Sequence, residues 1–197
     1  MNRRAKTLNA VAFLMLIALP ISACGINTIP TEEEQAKSAW SEVQNQYQRR
    51  ADLIPNLVAT VKGYATQERE VLTQVTEARA KATQTQVNVD QLTDPEALRR
   101  FQEAQGQLSG ALGRLLAISE NYPDLKSNQN FLALQSQLEG TENRITVARR
   151  DYIQAVQTYN TEVRTFPGRL WAVMYSAKPM ATFTTTEQNQ RPPAVQF

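Results

Sequence analysis

The chain has 197 residues, with 21 Lys plus Arg against 19 Asp plus Glu, one cysteine and no histidine. Without histidine there is no Ser-His-Asp or Cys-His nucleophile, no imidazole metal ligand and no imidazole proton relay. A single cysteine allows neither an internal disulfide nor a thiolate-rich zinc site, so the fold must rest on its own apolar core.

The amino end carries Arg3, Arg4 and Lys6, then an apolar run from Ala10 to Leu19, then Pro20 and small residues. That is the layout of a secretory signal, and a run of about ten residues is half of what a spanning helix needs. Ile21-Ser22-Ala23-Cys24 resembles a bacterial lipobox, in which cleavage precedes an acylated cysteine. The reading is a signal over 1–23, lipid on Cys24 and a tether over 24–30; the alternative is a retained transmembrane helix that places the protein in the inner membrane. Arg3-Arg4 lacks the flanking residues of a twin-arginine signal. Removing residues 1–23 takes away three basic residues and no acid, from 21 and 19 to 18 and 19, a net of −1. The basic balance thus belongs to the signal, and a nucleic-acid partner, which needs a basic patch, is not expected.

From residue 31 the composition is helix-forming, with Ala, Gln, Leu, Arg and Glu dominant, and the length predicts one domain. Thr31-Glu32-Glu33-Glu34 after Pro30 reads as a capping box. Ala36, Trp40, Val43, Tyr47, Ile54, Leu57, Val61, Tyr64, Val71, Val75, Ala78 and Ala82 then recur at steps of three and four, with Arg50 and Glu68 filling the two gaps. Pro55 interrupts the pattern. A continuous seam favours one long kinked helix. Burial favours Pro55 as the first residue of a second helix, because an unbroken helix over 32–86, about 80 Å long at 1.5 Å per residue, leaves Trp40, Val43 and Tyr47 without a cover. The second view is preferred. Arg50 and Glu68 are either buried polar contacts that fix register, ligand contacts, or side chains at loosened or edge sites; for Arg50, so near Pro55, the last is favoured.

Thr93-Asp94-Pro95-Glu96 opens the next helix, whose apolar face is Phe101, Ala104, Leu108, Ala111, Leu115 and Ile118. Gly106, Gly110 and Gly113 on it suggest a small face against a neighbour. A turn at Asn121-Tyr122-Pro123-Asp124 leads to a last long helix from about Ser127 or Asn128 to Thr165. Its seam is Phe131, Leu134, Leu138, Thr141, Ile145, Ala148, Tyr152, Ala155, Tyr159, Val163 and Phe166, and Pro167-Gly168 ends it. The expected fold is all-α: an antiparallel bundle of long helices over 31–167, four-helix up-and-down, or three helices with the first kinked at Pro55. Residues 168–197 read as a short apolar segment and an extended tail that docks partly on the bundle. Trp171 and Tyr175 suit either a membrane interface or, more ordinarily, packing on the helix ends.

No phosphate loop, dinucleotide fingerprint or calcium loop is present. The remaining chemistry is carboxylate chemistry, with Asp52, Glu68, Glu139, Glu142 and Asp151 as candidates for a pair facing a glycan. Charges on bundle helices more often form solvated faces, as Arg149-Arg150-Asp151 suggests. No catalytic residue, cofactor or metal is assigned.

Several strings resemble the LemA family: Ala39-Trp40-Ser41-Glu42-Val43, Tyr47-Gln48-Arg49-Arg50-Ala51-Asp52-Leu53-Ile54-Pro55-Asn56-Leu57-Val58, Thr60-Val61-Lys62-Gly63-Tyr64-Ala65, Leu138-Glu139-Gly140-Thr141-Glu142-Asn143-Arg144-Ile145, Ala148-Arg149-Arg150-Asp151-Tyr152, Tyr159-Asn160, Phe166-Pro167 and the closing Pro193-Ala194-Val195-Gln196-Phe197. The resemblance implies a membrane-anchored helical bundle of bacterial envelopes without an established catalytic activity, and supplies no active-site residues. Relatives often keep an uncleaved hydrophobic anchor, from which the lipobox departs. Gly25 and Ile26 after the cysteine, rather than an aspartate, favour the outer membrane in a two-membrane host. The expectation is a lipid-anchored scaffold or adaptor facing the periplasm or exterior, partnered by another envelope protein or by itself, with no small-molecule substrate evident. A carboxylate-dependent cell-wall enzyme is the alternative.

Overall fold

The computed structural model describes residues 25–183, which are all-α, with six α-helices and one short 3-10 turn. They are α1 (Thr28–Tyr64), α2 (Arg69–Gln84), α3 (Pro95–Ser119), α4 (Pro123–Lys126), α5 (Gln129–Arg164) and α6 (Gly168–Tyr175); the 3-10 turn is Val89–Gln91.

The frame is α1 against α5, 37 and 36 residues long, each about 55 Å at 1.5 Å per residue. They run antiparallel in one register. Trp40 meets the ring of Tyr152, Arg50 pairs with Glu142, and the Tyr64 hydroxyl accepts from Asn128. Each step along α1 is matched by an equal step back along α5. The α2–α3 hairpin covers the half of this pair that holds Ile54, Leu57 and Val61, and buries Leu72, Val75, Leu108, Leu112 and Leu115 with Phe131 and Leu138. The other half, around Trp40, Val43 and Tyr47, is closed by the 85–94 connection, the start of α3, α6 and the segment after it.

Pro55 lies inside α1, not at the start of a second helix. The burial argument fails because α5 alone reaches along both halves of α1. The chain turns instead at 65–68, just after Gly63, where Ala65 leaves the helical region and Glu68 stands at the head of α2. Pro55 has no N–H for the carbonyl of Ala51 one turn back. That carbonyl accepts from Arg79 Nε of α2 at 2.7 Å, so the neighbouring helix satisfies what the proline leaves open.

The capping box at Thr31 does not form. The helix starts three residues earlier at Thr28, Asn27 is its N-cap without a side-chain bond, and Pro30 occupies the first turn. Two other starts agree with the sequence. Asp94 caps α3, accepting from the Glu96 amide, with Pro95 as the first helical residue; Asn128 caps α5, accepting from Phe131. The small face of α3 points outward: Gly106, Gly110 and Gly113 have open space where a side chain would stand. Phe166, assigned to the seam of α5, is 82 % exposed because the chain turns away after Thr165.

After α6 the chain runs extended along the bundle. Asn160 clasps the backbone of Met180 from both sides, donating to its carbonyl (2.9 Å) and accepting from its amide (2.8 Å). Tyr152 and Tyr159 donate to the carbonyls of Ala181 and Lys178, and the Ala181 amide donates to Leu92. Phe183 lies against Trp40 and Tyr152 and under Arg149, whose guanidinium carbon is 4.3 Å from the ring centroid. The tail therefore completes an aromatic cluster of Trp40, Tyr47, Phe101, Tyr152 and Phe183. Residues 184–197 lie outside the described residues.

Candidate functional site

The seam of α1 carries one charge, and the structure buries it. Arg50 is 1 % exposed. Its Nη1 donates to Ser109 Oγ (2.8 Å) and Glu142 Oε1 (2.7 Å), and its Nη2 to the side chain (2.6 Å) and carbonyl (3.3 Å) of Gln105. Gln105 in turn donates to the carbonyl of Ala82. One guanidinium thus ties α1, α3 and α5, and through Gln105 reaches α2. The Tyr47 ring sits one turn away, 5.0 Å from the guanidinium carbon. Nε alone lacks a partner. The loosened-site reading of Arg50 is corrected: a planar five-donor fork can satisfy several acceptors in a space apolar residues could not organise. Glu142 keeps 46 % of its side chain exposed, so the pair has a wet end and a dry end.

Beside this hub a cleft of about 260 Å³ opens between α1, the end of α2 and α3. Gln44, Asn45, Gln48, Gln86 and Gln105 line it with Tyr47 and Phe101, and no ionised side chain is among its lining residues. It is a carboxamide-lined groove, smaller than the volumes typical of ligand pockets.

The five candidate carboxylates do not converge there. Asp52 accepts from Gln48 and Glu139 from Gln135, both on exposed helix faces. Glu68 accepts from the Tyr122 hydroxyl in the turn before α2, Glu142 pairs with Arg50, and Asp151 sits beside Arg150. Of the Arg149-Arg150-Asp151 run only the last two pair locally; Arg149 covers Phe183. Glu68 belongs to a turn rather than a seam. Burial pushes the phenols of Tyr47, Tyr152 and Tyr159 up from the usual tyrosine range, and nearby Arg149 and Arg50 partly oppose this for Tyr47.

A second feature lies at the end of the bundle where α1 begins and α5 finishes. Gly25 lies against Trp171, so close that a methyl added to it would stand 3.3 Å from the indole nitrogen. Gly168 is held against the backbone of Glu162, where a side chain would collide with the carbonyl oxygen. This fixes α6 with Gly168 and Ala172 inward. Phe166, Leu170, Val173, Met174 and Tyr175 point outward. Trp171 is half-buried against the core, as the packing expectation had it, while Tyr175 is exposed. Among the described residues no helix is long and apolar enough to cross a membrane. The lipobox with Cys24, the 1–23 signal and the retained-helix alternative all fall outside the described residues.

The LemA family profile matches residues 39–197. The chain is 26% identical over 176 residues to Magnetosome protein MamQ 2 of Paramagnetospirillum magneticum, covering 81% of this chain and 63% of that one. It is 25% identical over 191 residues to Magnetosome protein MamQ of Magnetospirillum gryphiswaldense, covering 88% and 70%. Against Protein LemA of Metamycoplasma hominis it is 26% identical over 140 residues, covering 71% and 60%. The chain thus spans about 63% of the length of the first of these relatives.

Proposed function

The chain belongs to the LemA family, and from that premise we propose that it is a membrane-anchored, non-catalytic scaffold or adaptor of the bacterial envelope. Its anchor is lipid on Cys24, and its partner is another envelope protein or a second copy of the chain. One acyl chain holds a protein only marginally, and two or more hold it stably. The observation that carries the reading is the use of Arg50. Among the described residues the one fully buried cation is spent on four bonds within the protein, between helices, while the candidate carboxylates are dispersed over separate partners. An interior committed to holding helices together leaves function to the outer faces. The names of the relatives specify no reaction.

Two measurements test this. Mass spectrometry of the chain isolated from membranes is expected to find an acylated Cys24 at the amino end, and Cys24→Ser is expected to release the protein from the membrane fraction. An intact Met1 would replace the lipid by a retained helix. Crosslinking in intact membranes is expected to capture a defined partner; a chain that crosslinks to nothing, itself included, is not an adaptor.

A further inference from the structure

Five of the ten large apolar or aromatic side chains that stay exposed among the described residues lie within 166–175. Leu170, Val173 and Met174 stand at i, i+3 and i+4 and share one side of α6 as an apolar stripe, Val173 being 78 % exposed, and Phe166, two residues before the helix, is exposed as well. Trp171 and Tyr175 flank the stripe with one apolar and one polar end each, the amphipathic character that suits a water–lipid boundary. Between Val163 and Phe183 the sequence has Arg164, Arg169 and Lys178 and no acid, and all three cations are exposed.

Position supplies the occupant. The described chain begins at Gly25, which lies on Trp171 and near the Pro167 ring. The residues before it are the apolar 10–19 run and Cys24, so under the anchored reading the tether meets the bundle at α6 itself. We infer that the apolar face of α6 rests in the interfacial layer of the phospholipid bilayer that holds the anchor. Phe166, Leu170, Val173 and Met174 enter the acyl boundary, to a depth of about 5–10 Å as interfacial helices do. Arg164, Arg169 and Lys178 stand at the level of anionic headgroups. The helix and the tether then make two attachments, and together they set how the α1–α5 pair is aimed away from the surface.

The inference rests on the anchored reading, and the test separates the two. The chain has two tryptophans, and Trp40 is sealed in the core. The full chain isolated from membranes is reconstituted into vesicles of phosphatidylglycerol and phosphatidylcholine whose acyl chains carry bromine, a contact quencher of indole. It is expected to float with the vesicles and to lose much of its fluorescence, and the loss is expected to vanish in Trp171→Phe. The double variant Leu170→Asp, Val173→Asp is expected to float, to keep its helical circular dichroism and to be quenched several-fold less. Flotation without quenching would defeat the inference and leave the anchor standing. Failure to float would remove the anchored reading and this inference with it. Undiminished quenching in the double variant would show that the tether alone brings Trp171 near the lipid, which also defeats it. So would an unquenched chain whose self-association is broken by the same two changes, because a second copy would then be the cover.

Discussion

Arg50 shows how one side chain can be dry at its root and wet at its partner. A buried guanidinium without its carboxylate is left uncompensated, whereas a freed Glu142 can rehydrate, since it is already half exposed. Breaking a buried pair from one side costs about 3–5 kcal/mol when both ends are dry, and less with one end in water. Glu142→Ala is therefore expected to destabilise the fold by about 2 kcal/mol. Arg50→Met, which removes all four bonds and leaves the buried Gln105 acceptors without a donor, is expected to cost more. Urea midpoints of the two variants check the order. The tyrosines make a second prediction at this scale. The folded pKa values of Tyr47, Tyr152 and Tyr159 are raised by burial, so the unfolded chain releases those protons first. Their contribution is intact below the unfolded value of about 10 and is lost as pH rises beyond it. Alkaline unfolding is expected to coincide with the appearance of tyrosinate absorbance; phenols that ionise while circular dichroism stays native would contradict this. None of the hub was legible from local sequence. Arg50 could be seen to interrupt the seam, but its acceptors Gln105, Ser109 and Glu142 lie on two other helices, and only the register of α1 on α5 brings them together. The signal available was the position itself, a cation between Tyr47 and Ile54 on an otherwise apolar seam.

At the scale of the helix, Pro55 is the informative case. The unbroken phase of the seam across it was the correct guide. The argument from cover misled because it ended the helix at 86 instead of near Gly63, and so overlooked that α5 matches α1 in length. The bond from Arg79 Nε to the Ala51 carbonyl gives this a test. Arg79→Ala is expected to cost about 1 kcal/mol in the native chain, where the carbonyl would be left open. In a Pro55→Ala background the restored amide can reach the same carbonyl, and the cost of Arg79→Ala is expected to shrink. A double-mutant cycle measures the difference; strict additivity would mean the arginine does not substitute for the missing amide. Caps at Asp94 and Asn128 were readable because their chemistry is local. The start of α1 was not, because a favourable Thr-x-x-Glu string competes with a helix that gains the burial of Ile29 by starting earlier.

For the whole molecule, the LemA strings and the contacts coincide. Trp40, Arg50, Glu142, Tyr152, Tyr159 and Asn160 all lie in strings that carry the resemblance, and each either joins long helices or grips the segment after α6. An all-α antiparallel bundle was legible from periodicity. That the tail docks on the bundle was expected, but its seat was not legible, because the backbone after α6 is held by side chains of α5 rather than by any pattern of its own. A chain ending at Tyr175 loses the buried Met180 and Phe183 and the clasp of Asn160. At roughly 1.5–3 kcal/mol per buried large side chain, it is expected to be less stable by about 4 kcal/mol. Its Trp40 emission is expected to shift to the red as water reaches the indole, and an unchanged spectrum would mean other residues close the cluster.

That clasp also sets an order of events. Synthesis runs from the amino end, so Trp40 is made well before Phe183. The aromatic cluster cannot be sealed until Phe183 has been made. A product cut short before Phe183 carries an open aromatic socket beside Trp40 and Tyr152, a mark that tells it from a copy that includes that residue.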